Sequence, residues 1–380
     1  MKIAIQTLVG HHNYGCLLQA YALQTTLEGL GHNVEIINRR ENVPGKRLMV
    51  KRMLRFAVRV VQRYILLNKS VLINDPFDCL FYSQVDFTLL RKFSVSKLHY
   101  TRLFRSSSSL AKYVKRRMYD AFVVGSDQVW REIYAPNILD SFLGYLPEED
   151  KSIKISYAAS FGTDEQPILN EKITECVKLA KRFKAISVRE KSGIGIVSES
   201  FGMDAVQVLD PTLLLSSKDY SCLVGDNTIG EGMAVSYMLD LTGWKNEIVD
   251  IVLAERNVGR FDLMDCPLND NGVMQRRSVE DWLSAIRNAN IVVTDSFHGC
   301  VFSIIFQKPF ICIGNKERGS ARFESLLSMF RLEDRLVTSF DDFEARKEDL
   351  MKGIDYSRVY AILEEKRKES MDFLQKSLMK

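Results

Sequence analysis

Short apolar runs and longer amphipathic segments alternate along most of the 380-residue chain. The first run includes Ile3 and Ile5 and leads into a polar turn at 9–15. Apolar residues then recur at helical spacing over 17–30, and a second apolar run covers 34–37. Parallel strands need a long crossover between them, and a helix usually supplies it. The pattern therefore predicts a β-α-β unit and an α/β fold.

The alternation forms two successive sets of strands and helices. The first set occupies residues 1–218, the second occupies 230–345, and a further amphipathic helix is predicted at 355–380. The glycine-containing segment 216–232 is the best candidate for a linker between the two sets. We therefore expect two Rossmann-like domains facing a cleft. Ligands of such folds bind at the carboxyl ends of the strands.

A strongly basic insertion, about 45–117, interrupts the first set. It contains seventeen Lys or Arg residues and three acids, so the rest of the chain carries a net charge of −10 within a total of +4. The pattern predicts an amphipathic helix or a pair of helices here. Its basic residues recur every four positions, at Arg47, Lys51, Arg55, Arg59 and Arg63.

Three functions are open for this insertion. It can be the solvated face of inserted helices, or residues 46–69 can contact an anionic membrane surface, a role that suits basic amphipathic helices. The third is nucleic-acid binding. The sequence contains no aromatic-basic platform and no helix-turn-helix pattern, so we expect no nucleic-acid partner.

Bulk composition excludes several classes of protein. The apolar fraction of 46% and the charged fraction of 26% are those of a soluble globular protein. No apolar run approaches the ~18 residues that a membrane-spanning helix needs, and the first ten residues are predicted to form a strand instead of a signal peptide. The seven cysteines are scattered without a CxxC pair, so we expect neither disulfides nor a zinc site. We therefore expect a cytoplasmic protein.

Most of the unusual polar residues fall in predicted turns between a strand and the following helix. They are His11, His12, Asn13, Tyr14 and Gly15; Ser126 and Asp127; Arg189, Glu190 and Lys191; Asp295, Ser296 and His298; and Asn315, Lys316, Arg318 and Arg322. Each group can also be purely structural. The paired histidines can face solvent in a loop, Arg189 can pair with an acid of the next helix, and residues 315–322 can form a surface loop.

His298 is the most informative of these residues because of its predicted place in a helix. Asp295 or Ser296 can act as the N-cap, which puts His298 in the first turn beside free backbone N–H groups. Such a helix start attracts anions and favours the neutral histidine, whereas a bound phosphate favours protonation. The alternative is a structural histidine bonded to a carbonyl. Phosphate-loop, dinucleotide, HExxH and nucleophile-elbow motifs do not occur. Spacing alone thus predicts an anion-binding cleft and no particular reaction.

Several motifs occur in an order that is more specific than any one of them. They are HNYGCLLQAYALQTTLEGLGHNVEIIN, VVGSDQVW, ISYAASFG, SVREKSG, VLDPTLLL, and TDSFHG followed by an apolar helix and QKPFI. Together they resemble the polysaccharide pyruvyl transferase family from residue 1 to about 340. The basic insertion and the C-terminal helix lie outside the strongest motifs.

This resemblance implies a GT-B-like fold and a reaction. Better-known members transfer the enolpyruvyl carbons of phosphoenolpyruvate to two hydroxyls of a sugar, which leaves a cyclic pyruvate ketal and free phosphate. His298 matches the histidine of the family's Arg-x-His motif, the candidate general acid, and Arg189 matches a phosphoenolpyruvate ligand. Ser296 stands where that motif has its arginine. Lys316, Arg318 and Arg322 are the candidates to replace the missing anion contact.

The resulting hypothesis is a pyruvyl transferase that acts on a cell-surface polysaccharide precursor without a metal or organic cofactor. The predicted catalytic residue is His298, and the predicted substrate-binding residues are Arg189, Ser296, Lys316, Arg318, Arg322, Asn13, Tyr14, Gly15, Ser126 and Asp127. Such precursors are commonly built on a lipid-linked carrier, so the acceptor can be lipid-linked and the enzyme can work at the inner face of the cell membrane. The alternatives are a GT-B glycosyltransferase with a nucleotide-sugar donor and a non-catalytic family member.

Overall fold

The computed structural model describes residues 1–10, 12–314 and 320–379. Its first part follows the predicted alternation of strands and helices. In chain order the elements are β1 (Lys2–Gln6), α1 (Tyr14–Gly29), β2 (Asn33–Ile36), α2 (Lys46–Val60), α3 (Thr88–Lys97), α4 (Ser107–Arg117), β3 (Ala121–Val124), β4 (Ile153–Ser156), α5 (Asn170–Ala180), β5 (Ser187–Val188), α6 (Ser192–Ile196), β6 (Val206–Gln207) and α7 (Ser217–Val224).

The N-terminal sheet is parallel and has the strand order β2-β1-β3-β4. Single bridges at Ile155–Ala185 and Ala159–Val188 continue it toward β5, which pairs with β6 in parallel. Every residue of β3 is buried, as expected for a parallel strand covered by helices on both faces. All carboxyl ends therefore meet at one edge of the sheet.

The C-terminal domain repeats this architecture. Its elements are β7 (Ala234–Tyr237), α8 (Gly243–Arg256), β8 (Arg260–Asp262), α9 (Val279–Asn288), β9 (Ile291–Thr294), α10 (Phe297–Ile305), β10 (Phe310–Ile313), α11 (Ala321–Phe330), β11 (Leu336–Val337), α12 (Phe340–Leu350) and α13 (Tyr356–Leu378). Its parallel sheet has the order β11-β10-β9-β7-β8. The predicted α/β class with two Rossmann-like sheets is confirmed.

The structure differs from the pattern-based expectation at the predicted linker. Residues 217–224 form α7, because Ser216 and Asp219 make a capping box that satisfies backbone N–H groups at the start of the helix. The side chain of Tyr220 is fully buried in the main core. Part of segment 216–232 is therefore helical, and the linker and the domain limits stay a prediction.

Helix α13 links the two domains. Near its start the hydroxyl of Tyr360 donates to the carbonyl of Ile305 at the end of α10, a distance of 2.6 Å. Farther along, Arg367 donates to the carbonyl of Leu213, and the hydroxyl of Ser370 accepts from the backbone N–H of Leu209. Its apolar side chains, such as Leu374, are buried. The C-terminal helix thus crosses from the second domain back onto the first.

A second link lies at the start of α1. The ring of Tyr14 stacks on that of Trp282 in α9, with ring centroids 5.4 Å apart, and its hydroxyl donates to the carbonyl of Arg277 at 2.9 Å. This contact presses the β1–α1 turn against the C-terminal domain. The carboxyl edges of the two sheets consequently face each other across a narrow cleft.

The insertion between β2 and β3 is helical, as predicted, with α2, α3 and α4 as its main elements. Helix α2 continues directly into a short π-helix, Val61–Ile65. No helix within the described ranges combines the length and apolarity needed to cross a membrane.

Candidate functional site

Five of the residues predicted from sequence line one pocket between the two sheets. They are Asn13, Asp127, Ser296, His298 and Arg322, and the remaining lining residues are Gln128, Tyr237, Leu239, Asp295 and Phe297. The pocket has a volume of about 60 Å³. Its walls come from turns that follow β1, β3, β7 and β9 and from the start of α11. The rule for parallel strands predicts these turns at the carboxyl edges of the two sheets, which face the cleft.

His298 lies in the first turn of α10, as predicted. Ser296 is the N-cap of this helix, and its hydroxyl accepts from the backbone N–H of Gly299 at 3.4 Å. The Nε2 atom of His298 makes no hydrogen bond within the described residues and lies 3.8 Å from Oδ2 of Asp210. A nitrogen without a partner at the lining of a pocket is available to exchange a proton with a ligand.

The imidazole of His298 packs directly against the backbone of Gly15. A Cβ atom at position 15 would lie 2.1 Å from Nδ1 of His298, far inside van der Waals contact. The same turn provides Asn13 as the N-cap of α1, where its side-chain oxygen accepts from the backbone N–H of Cys16. Glycine is therefore needed at position 15 because the two domains approach each other through this residue.

Arg189, at the carboxyl end of β5, forms a buried ion network behind the pocket. Its guanidinium lies 3.0 Å from a carboxylate oxygen of Asp210 and 3.3 Å from one of Asp127, and it covers the ring of Phe297 with 4.3 Å between its Cζ atom and the ring centroid. The side chain is almost fully buried. Its charge is thus directed at protein carboxylates, and Arg189 is not among the residues that line the pocket.

Charges in this network determine the protonation of its acids. Burial opposes the ionisation of Asp127, but the adjacent Arg189 and His298 outweigh it, and the pKa of Asp127 lies below its ordinary value. The thiol of Cys16 donates to the same carboxylate at 3.2 Å, and burial raises the pKa of that thiol well above the usual range. Asp127 is therefore an anion, and Cys16 is a neutral hydrogen-bond donor.

Burial and nearby charges shift the pKa values of His298 and Arg322, which both line the pocket. Burial lowers the pKa of His298, and Arg189 and Arg322 act in the same direction, while Asp210 and Asp127 oppose them without reversing the shift. His298 is consequently neutral at neutral pH. Burial, together with the positive charge of Arg189, lowers the pKa of Arg322 to about 10. A bound anion would relieve both effects, so the arrangement favours an anionic ligand.

The other predicted residues have separate places. Tyr14 lies in the contact between domains described above and is absent from the pocket lining. Ser126 is fully buried, and its hydroxyl donates to the carbonyl of Ala158. Lys316 and Arg318 lie outside the described residues, as do His11 and Asn315. Substrate binding by any of these residues stays a prediction.

Asp210 is the residue that the candidate set lacked. It follows β6, caps a short helical turn by accepting from Thr212, and shares its second oxygen between Arg189 and His298. The Asp-Pro sequence that follows an apolar run was a signal for a strand end, but it gave no indication that this carboxylate faces His298. Asp295 is also fixed, because it accepts from Lys245 and from the backbone of Leu239.

No group of three or more His, Cys, Asp or Glu side chains within residues 1–10, 12–314 and 320–379 has an arrangement that could hold a metal ion.

Gly15→Ala is expected to destabilise the protein, since the new methyl group must displace His298 or separate the domains, and overpacking typically costs about 1–3 kcal/mol. Gly29→Ala is the matched control: it lies in the same helix, and a Cβ there meets nothing within 4 Å. Chemical denaturation measures the free energy of unfolding of both variants. NMR titration of the histidines reports the environment of His298. Equal stability of the two variants would contradict the close packing of Gly15 on His298.

Asp210→Asn is expected to lower the free energy of unfolding by about 3–5 kcal/mol, because it leaves part of a buried ion network uncompensated. Asp349→Asn removes a shorter contact, 2.6 Å to Lys352, on an exposed surface and is expected to change stability little. Urea denaturation of both variants at neutral pH provides the comparison. A loss for Asp210→Asn no greater than that of its control would show that the network does not hold the strand ends together.

Comparisons with solved structures identify the fold. A UDP-GlcNAc 2-epimerase of Methanocaldococcus jannaschii, in complex with UDP-GlcNAc and UDP, has 12% identity and a TM-score of 0.51 over 95% of this chain and 98% of that one. The UDP-N-acetylglucosamine 2-epimerase structure of Listeria monocytogenes has 10% identity and a TM-score of 0.52 over 98% and 91%. The Neisseria meningitidis enzyme bound to UDP-GlcNAc has 10% identity and a TM-score of 0.50 over 100% and 99%. These structures share the GT-B-like arrangement of two domains.

Sequence comparison identifies the family. A search of curated proteins found no significant match. The profile of the polysaccharide pyruvyl transferase family, in contrast, matches residues 13–317, which include Asn13, Arg189 and the start of α10. The match covers most of the chain and every described part of the pocket except Arg322. This protein belongs to the polysaccharide pyruvyl transferase family and is a transferase.

Proposed function

We propose that this transferase moves the enolpyruvyl group of phosphoenolpyruvate to two hydroxyls of a sugar in a cell-surface polysaccharide precursor. The observation that carries the proposal is His298. It stands at the amino end of α10, it lines a pocket together with Arg322, and its Nε2 atom has no hydrogen-bond partner within the described residues. A histidine beside an anion site is suited to protonate an enol phosphate.

The anionic donor has two candidate partners at the pocket, the start of α10 and Arg322. Phosphoenolpyruvate carries a carboxylate and a phosphate, and the backbone N–H groups at the start of α10 together with Arg322 can receive them. Ser296 provides no charge where the family motif has arginine, so Arg322 takes over part of that role. Arg189 acts indirectly, because it balances Asp127 and Asp210. Lys316 and Arg318 remain further candidates for donor contacts.

The reaction begins with a proton transfer. Protonated His298 gives its proton to the CH₂ carbon of the enol, and the adjacent carbon becomes an oxocarbenium-like centre that the oxygen of one sugar hydroxyl attacks. The bond from this carbon to the phosphate oxygen then breaks, and the second hydroxyl forms the other C–O bond of the ketal. The products are the pyruvate ketal and inorganic phosphate. The two hydroxyl protons leave to His298 and to the departing phosphate.

Donor binding and acid function are coupled in this scheme. Burial keeps His298 neutral in the free protein, whereas a bound phosphate raises its pKa and provides the protonated form only when donor is present. The free pocket, about 60 Å³, is far smaller than the ~300–1,000 Å³ of typical ligand sites. The two domains therefore separate to admit the donor and the sugar.

A nucleotide-sugar glycosyltransferase is the second candidate function. The M. jannaschii and N. meningitidis structures of similar fold contain UDP-GlcNAc, and Ser296 removes one contact expected for phosphoenolpyruvate. Both donors are anionic, so the pocket charge does not separate them. Direct measurement of donor binding distinguishes phosphoenolpyruvate from a nucleotide sugar.

Calorimetry with phosphoenolpyruvate should show micromolar-to-millimolar binding that Arg322→Ala weakens at least about tenfold, since one charge-assisted contact contributes ~1.5–3 kcal/mol. His298→Gln should bind the donor similarly but release phosphate ~10²–10⁴-fold more slowly in the presence of sugar acceptors, because it lacks the acid. Arg331→Ala, at the exposed end of the same helix α11, is the control for a lost arginine. Binding of UDP without phosphoenolpyruvate would reject the proposal in favour of the glycosyltransferase, and full activity of His298→Gln would reject His298 as the acid.

The pH dependence should carry the signature of His298. As a general acid it works only when protonated, so kcat/KM should fall as pH rises through the pKa of the free protein, which lies below the ordinary value of 6.5. The corresponding fall in kcat should occur at higher pH, because bound phosphate raises that pKa. Steady-state rates between pH 5 and 9 test both. Identical profiles for kcat and kcat/KM, or an unchanged profile in His298→Gln, would contradict the coupling.

A further inference from the structure

Helix α2 places two of its arginines against the protein. Arg52 donates to the backbone carbonyls of Pro76 and Asp78, at 2.9 and 3.1 Å. Arg59 is 7% exposed, donates to the carbonyl of Phe81 at 2.6 Å, and lies over the ring of that residue. The basic residues that recur every four positions therefore do not share one solvent-facing side of the helix. Arg59 lies on the inner face and is buried.

The opposite face of the helix is apolar and exposed. Its residues are Val50, Leu54, Val58, Val61 and Ile65, whose exposed fractions are 59%, 66%, 55%, 43% and 70%. Their spacing of four, four, three and four residues puts them along one side of α2 and its continuation. Single exposed apolar residues are common, but a continuous row of five is typical of a surface that binds something. We call these five residues the apolar row.

The charged residues that neighbour the apolar row in sequence are all basic. Lys46, Arg47 and Lys51 are exposed near the start of α2, and the sequence contains no acidic residue between Glu41 and Asp75. An apolar face bordered by cations is the arrangement of helices that lie in the interface of anionic bilayers, where apolar side chains enter the acyl boundary and cations meet phosphates.

We propose that the apolar row, together with Lys46, Arg47 and Lys51, lies on an anionic membrane surface. A second copy of this chain fits the surface less well, because a symmetric contact places the same acid-free basic patch on both sides. A bilayer supplies both the apolar medium and the negative charge. The inference goes beyond the proposed function and depends on neither the donor nor the acceptor.

Vesicle sedimentation tests the proposal with the full-length protein. Vesicles of phosphatidylcholine with about 30% phosphatidylglycerol should bind the protein at low salt, and pure phosphatidylcholine should bind it much less. Leu54→Glu with Ile65→Glu should abolish binding. Lys46→Gln, Arg47→Gln and Lys51→Gln together should lower the partition coefficient roughly 100-fold, since each cation near an anionic surface contributes about fivefold. High salt should weaken binding in parallel.

Matched controls distinguish membrane binding from dimerisation and from loss of folding. Val95→Glu changes a valine of α3 that is 82% exposed and lies outside the apolar row, and this variant should bind vesicles as the native protein does. All substituted residues are exposed, and circular dichroism verifies folding. Retained binding by the double glutamate variant overturns the proposal. So does a lack of vesicle binding, including the case in which analytical ultracentrifugation finds a dimer that the same variant dissociates. No substrate is present in these assays, so a failed donor assay does not affect their outcome.

Discussion

One buried guanidinium holds together the carboxyl ends of three strands. Arg189 follows β5, Asp127 follows β3 and Asp210 follows β6, and the distances of 3.3 and 3.0 Å require all three strand ends to keep their register. A buried cation is tolerated only when carboxylates balance it, and the carboxylates depend on the cation in the same way. The three side chains behind the pocket are therefore electrostatically coupled, and a change in the charge of one destabilises the charged forms of the others.

The same network contacts the second domain at His298. Asp210 provides the same oxygen to Arg189 and, at 3.8 Å, to the imidazole, so the network that fixes the sheet edge also acts on the proton of the candidate acid. The imidazole reaches that position only because Gly15 presents no side chain. One contact between the domains thus sets both the packing of the His298 imidazole and its proton affinity. Opening of the cleft would change both together.

The sequence was sufficient for the parts that follow from local pattern. Alternation of strands and helices predicted the two sheets, and the rule for parallel strands brought Asn13, Asp127 and His298 to the carboxyl edges that face the cleft. It was insufficient for pairings set by tertiary structure. The sequence left open whether Arg189 binds a substrate or pairs with a protein acid. Only the fold shows Asp127 and Asp210 beside it. Asp210 was missed because its partner on α10 is 88 residues away in sequence.

The orientation of helix α2 in the insertion was likewise not predictable from sequence. A helix with arginines on one side and apolar residues on the other is amphipathic either way round, so its pattern alone did not predict which side faces solvent. Here Arg52 and Arg59 are satisfied by backbone carbonyls and by Phe81, and the apolar row is outside. A purely solvated helix would have the opposite orientation, with apolar side chains inward.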